Sequence, residues 1–191
     1  FLFGARDVWF VVGIPVYFQA VLSDGTAEGR REAFFLIGSF LALWIIAYGA
    51  VQAMAPRILG PRGQPEAETT RKAIAWAGLL VPIPFALAAA AWAADGPAPW
   101  LTTTLIGGLL LFGFVFAVNS SVHSYLILAF GSDDRITRDV GFYYMANAAG
   151  RLIGTLLSGL SYQAGGLPLC LTTAGAMALA SWLAARRLRP D

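Results

Sequence analysis

Residues 140–160, VGFYYMANAAGRLIGTLLSGL, decide the fold class. The run is apolar or small except for a thin line of polar side chains, and Arg151 is its only charge. About 20 such residues suffice to cross a membrane as a helix. A charge at bilayer depth costs at least ~2.5–3.5 kcal/mol, so a guanidinium there calls for a partner charge or an anionic ligand in a polar cavity between helices. Composition extends this reading to the whole chain. Hydrophobic residues make up 58% and charged residues 13% of it, where a soluble domain carries about 25% charged residues, and mean hydropathy is +0.66. The sequence therefore predicts an all-α integral membrane protein.

Six apolar segments follow one another at roughly 1–22, 33–56, 73–94, 101–130, 140–164 and 168–186, predicting a six-transmembrane-helix bundle over residues 1–191. Polar connectors separate them, and Gly or Pro occurs in each. No period-two alternation recurs, which argues against a membrane β-barrel. Basic residues assign the sides. Arg57, Arg62, Arg71, Lys72, Arg135, Arg138, Arg186, Arg187 and Arg189 follow the even-numbered segments, whereas only Arg30 and Arg31 lie on the opposite side. Nine against two places the C-terminus and the start of the first segment in the cytoplasm of a cell in whose inner membrane the chain sits. The opening residues lack an initiator Met, a charged leader region and a cleavage site, so they are not a signal peptide, and a longer parent chain is expected.

The first segment has an anomaly of its own. Val8 to Leu22 as a helix reaches only ~22 Å against a ~30 Å hydrocarbon core, so Arg6 and Asp7 are expected at membrane depth or at its cytoplasmic edge. Gly13 and Pro15 are expected to interrupt this helix, as in the broken helices from which transporters build sites. In the fifth segment Ala146, Gly150, Gly154 and Ser158 form a small-residue stripe suited to close helix packing. Beside it Tyr143, Asn147, Arg151 and Thr155 form a polar stripe. In the fourth segment Asn119 and His123 share a face, and His123 is the only histidine. Its ordinary pKa of ~6.5 suits proton relay, and a hydrogen-bonded packing role is the alternative.

The charges expected within the membrane are Arg6, Asp7 and Arg151, a positive balance that suits a small anionic organic substrate held by guanidinium forks. Arg6, Arg151, Asn119, Asn147 and Tyr143 are the candidate substrate-binding residues, with His123 and Asp7 the candidates for proton coupling. The alternative for Arg6 and Asp7 is a mutual ion pair at the cytoplasmic gate or snorkelling to headgroups. No metal site is expected, because neither a second histidine nor a cysteine partner accompanies His123, and the single Cys170 excludes an internal disulfide. No phosphate-binding loop is present and no nucleic-acid partner or cofactor is expected, so transport would draw on an ion gradient. Clustered carboxylates at metal spacing and a Ser/His/Asp group are missing, and the chain reads as no enzyme.

Together these features resemble the C-terminal half, helices seven to twelve, of a twelve-helix transporter of the major facilitator superfamily. NAAGRLIGTLLSGLSYQAGG resembles its eleventh helix, and Pro56 to Arg62 is a degraded form of its cytoplasmic loop signature that lacks the acidic residue. GARDVWFVVGIPVYF at 4–18, ALWIIAYGAVQAMAP at 42–56 and VGFYYMANAAGRLIGTLLSGLSYQ at 140–163 are similar to the organoarsenical efflux (ArsJ-type) branch. That resemblance implies a proton-coupled antiporter for arsenic resistance, exporting 1-arseno-3-phosphoglycerate. It also implies a missing N-terminal six-helix half and a functional link to a glyceraldehyde-3-phosphate dehydrogenase that makes the substrate. Export of another anionic or drug-like solute, or a transport-dead interaction or sensor domain in the lipid bilayer, are the alternatives.

The basic-residue asymmetry predicts that single cysteines at Gly63 and Thr137 label with an impermeant reagent only from the cytoplasm, and one at Thr26 only from outside. Labelling of Thr26→Cys from the cytoplasm would invert the topology.

Overall fold

The computed structural model describes residues 1–6, 9–60, 65–129 and 136–187. Asp7, Arg62, Gly63, Arg135 and Arg189 lie outside the described residues. Every regular element among the described residues is helical: α1 (Leu2–Ala5), α2 (Trp9–Leu22), α3 (Ala27–Leu59), α4 (Glu66–Leu80), α5 (Pro82–Ala94), α6 (Pro99–Ala129) and α7 (Ile136–Ala185). Four stretches are long and apolar enough to cross a membrane: 27–59, 66–94, 99–127 and 137–185. The molecule is an all-helical protein compatible with membrane insertion.

The helix starts differ from those expected, and turn chemistry explains the shift. α3 begins at Ala27 because the Thr26 hydroxyl accepts from the Gly29 N–H at 3.0 Å. Asp24 Oδ1 in turn accepts from the Thr26 hydroxyl and N–H at 2.6 and 2.9 Å, which holds its carboxyl below the usual range. Glu28, Arg30, Arg31 and Glu32, expected in a connector, thus lie in the first turns of a helix. α4 likewise begins at Glu66, with Glu66 and Glu68 in its first turn, where carboxylates meet unsatisfied N–H groups. Pro82 divides α4 from α5 because its ring nitrogen cannot donate, and the Val81 N–H closes a tighter turn onto Gly78 O at 3.2 Å.

α2 corrects an expectation, since it runs unbroken through Gly13 with Pro15 inside it. A proline removes one intrahelical bond, which packed neighbours can tolerate. Upstream, Arg6 closes the short helix α1.

The break expected near 164–168 occurs inside α7. Gly165 and Gly166 leave helical geometry, and Gly166 takes a positive φ of 64° that a side chain would strain. The two arms, 136–164 and 167–185, fold back on each other: Ser158 Oγ and Cys170 Sγ lie 3.3 Å apart, though 12 residues along a straight helix span ~18 Å. Cys170 is accordingly a buried core thiol.

α6 is the central element and α3 the peripheral one, with 50% and 11% of their apolar windows buried. Leu101, Leu105, Leu109 and Phe112 recur at helical spacing on the buried face of α6. Trp44 of α3 reaches this axis, where its indole N–H donates to Leu109 O at 2.9 Å. The small-residue stripe of α7 does what its composition predicts. A Cβ at Gly150 would run into the Phe1 carbonyl and lie 3.1 Å from the Ala5 nitrogen, and one at Gly4 would run into the Asn147 carbonyl. α1 and the first arm of α7 therefore approach backbone to backbone.

Gly150→Val is expected to lower the melting temperature in detergent, costing about 1–3 kcal/mol of overpacking. Gly107→Ala, which meets open space, should leave it unchanged or raise it slightly. Equal melting temperatures for the two variants would contradict this contact.

Candidate functional site

Arg6 ends α1, and its position follows from the packing just described. With Gly4 and Gly150 holding α1 against α7, the side chain that follows α1 is carried into the bundle, where Arg6 is 2% exposed. Its Nη2 donates to Asn119 Oδ1 at 2.6 Å, a short bond of the kind a charged donor makes. Asn119 Nδ2 donates to Ala73 O at 3.1 Å. These partners fix the amide orientation, since a guanidinium only donates and a carbonyl only accepts. One side chain of α6 thus ties the end of α1 to the backbone of α4.

Aromatic rings complete the setting. The Arg6 guanidinium carbon lies 4.1 Å from the centroid of Phe3 and 5.4 Å from that of Phe116, within cation–π range of both. His123 stacks on Phe3, centroids 4.1 Å apart and 13° between planes, and meets Tyr143 at 5.4 Å. Arg6, Asn119, His123 and Tyr143 line one cavity of about 370 Å³, together with Phe3 and Ser181. That size falls within the range of small-molecule sites, and its walls combine apolar surface with a few convergent polar groups.

Four of the seven residues expected from the sequence are brought together here. Asn147 is half-buried and contributes its backbone to the contact with Gly4. Arg151 is exposed and does not line the cavity. Asp7 lies outside the described residues. Thr155, from the same polar stripe, turns its hydroxyl back onto Arg151 O at 2.8 Å, a helix-internal bond. Sequence reasoning missed Phe3, Phe116 and Ser181. The spacing of Phe3 and Arg6, three residues apart at a helix end, was a usable signal for the first; Ser181, in an alanine-rich helix, gave none.

Asn119→Leu is expected to destabilise the protein by about 1–3 kcal/mol through the lost bonds to Arg6 and Ala73. Asn119→Asp should fall between Leu and the parent, because a carboxylate still accepts from Arg6. A Leu variant melting with the parent would show that Asn119 does not hold the guanidinium.

Comparisons with protein-family models, with curated proteins and with solved structures find no match for this chain.

Proposed function

We propose that this chain is the C-terminal six-pass half of a major facilitator superfamily exporter that moves a small organic anion out of the cytoplasm in exchange for protons. The observation that carries the reading is the convergence of Arg6, Asn119, His123 and Tyr143 on one cavity within a bundle of membrane-length helices. A guanidinium offers a planar fork to phosphate or carboxylate oxygens. Phe3 and Phe116 flank it with apolar surface, which strengthens an ionic contact by excluding water. His123 is the proton-linked group beside it, since an imidazole can carry a proton and this one stacks on the Phe3 ring that the guanidinium also contacts. Within the range of anions such a site takes, 1-arseno-3-phosphoglycerate is the substrate that the resemblance of 4–18, 42–56 and 140–163 implies.

A second reading has its own support: the 2.6 Å bond to Asn119 and the contact with Phe3 suit a latch that fastens α1 to α6, with no ligand involved.

Transport by the full-length protein in energised vesicles separates the two. Under the anion reading Arg6→Lys is expected to lose at least about tenfold in uptake of a phosphorylated three-carbon acid, because an ammonium is a point donor. Arg6→Met is expected to abolish uptake while remaining in the membrane. His123→Gln should retain counterflow exchange but lose accumulation driven by a pH gradient. Wild-type uptake by Arg6→Met would reject the anion site and leave the latch.

A further inference from the structure

The end of the bundle away from Arg6 holds a second cavity, of about 350 Å³, which shares no lining residue with the first. It lies where α2, α5 and the first arm of α7 end, and Ala20, Asp95 and Gly165 from those three ends line it. Three aromatic side chains, Tyr17, Trp92 and Tyr162, form much of its wall, and Asp95 is the only charge among its described lining residues. The proposed transport chemistry uses none of these groups.

The polarity of this cavity has one sign. A helix C-terminus carries unsatisfied carbonyls and a partial negative charge, and three such ends meet here. Two helical segments begin at the same end, but the first turn of each contains a proline, Pro99 or Pro168, with no N–H to offer an anion. Asp95 closes α5 in the left-handed region, at a φ of 48°, and sets a full negative charge at that terminus. Tyr17 is oriented as an acceptor as well. The Thr102 hydroxyl donates to Ala98 O at 3.2 Å, so in its 3.3 Å bond with Tyr17 it accepts. The phenol proton is thereby committed to Thr102, and lone pairs remain on Tyr17 Oη.

We infer that this cavity binds an alkylammonium group, paired with Asp95 and in contact with the rings of Tyr17, Trp92 and Tyr162. Aromatic faces attract such a cation, and the carbonyl ends of the helices add to the attraction. Trp92 and Trp100 are exposed at this end, as indoles are at the headgroup level of a membrane. The ammonium therefore arrives on an amphiphile, either the ethanolamine headgroup of a phospholipid or a free long-chain amine. The site is independent of the proposed anion transport, and its test involves no transport.

Native mass spectrometry of the full-length protein, released from detergent micelles, counts the amphiphiles it retains. Dioleoyl-phosphatidylethanolamine is expected to be retained several-fold more than dioleoyl-phosphatidylglycerol, which has the same tails and no ammonium. Dodecylamine is expected to displace it, and dodecanol is not. In Asp95→Asn, an exposed change to a residue that also tolerates the left-handed backbone, the preference for the amine should disappear while the melting temperature holds. Retention of dodecylamine but of neither phospholipid, still dependent on Asp95, would support the site and assign it to a free amine. Retention of no amine, equal retention by the parent and Asp95→Asn, or displacement by dodecanol as effective as by dodecylamine would overturn the inference.

Discussion

The bond from the Arg6 guanidinium to Asn119 is the contact on which the interior of this bundle turns. A guanidinium that is 2% exposed is held there by geometry set elsewhere, because α1 reaches that depth only through the glycine contacts at Gly4 and Gly150. Asn119 converts the charge into a structural tie, accepting from α1 and donating to α4 in one side chain. In a low-dielectric interior both bonds gain strength, and the loss of either leaves a costly polar group behind. The position of the charge is thus a consequence of helix packing, and packing in turn is sensitive to the charge.

The same cluster joins stability to the proposed chemistry. Phe3 touches both Arg6 and His123, so displacement of the guanidinium toward an anion would also alter the stacking of the imidazole. That gives substrate and proton a shared contact without a long pathway between them. Tyr143 and Ser181 bring the two arms of α7 to the same cavity, and the Gly165–Gly166 turn is what allows one continuous stretch of chain to supply both walls.

Much of this architecture was legible in local chemistry. The all-helical class, the long apolar stretches and the break at Gly165–Gly166 followed from composition, length and the special backbone freedom of glycine. Helix starts were less legible, because Thr26 and Pro65 allow charged turns to extend helices beyond the apolar windows that mark them. Pro15 misled for the opposite reason, since a residue that breaks an isolated helix survives where neighbours pack around it. In the site, Asn119 and His123 were visible as a shared face. Arg151 was the most conspicuous residue in the sequence yet stands outside the cavity, because a turn of one position separates it from the buried edge at Gly150. Which face of a helix is buried depends on its neighbours, and a single sequence carries only part of that information.

The central claim is that Arg6 sits in a cavity where an organic anion reaches its guanidinium. Its most direct test is the extent to which phenylglyoxal modifies Arg6, read by peptide mass in the membrane-embedded full-length protein with and without 3-phosphoglycerate. The anion is expected to suppress modification of Arg6 while glycerol does not, and modification of the exposed Arg30 is expected to be unaffected by either. Modification of Arg6 that is identical with and without the anion would contradict that claim.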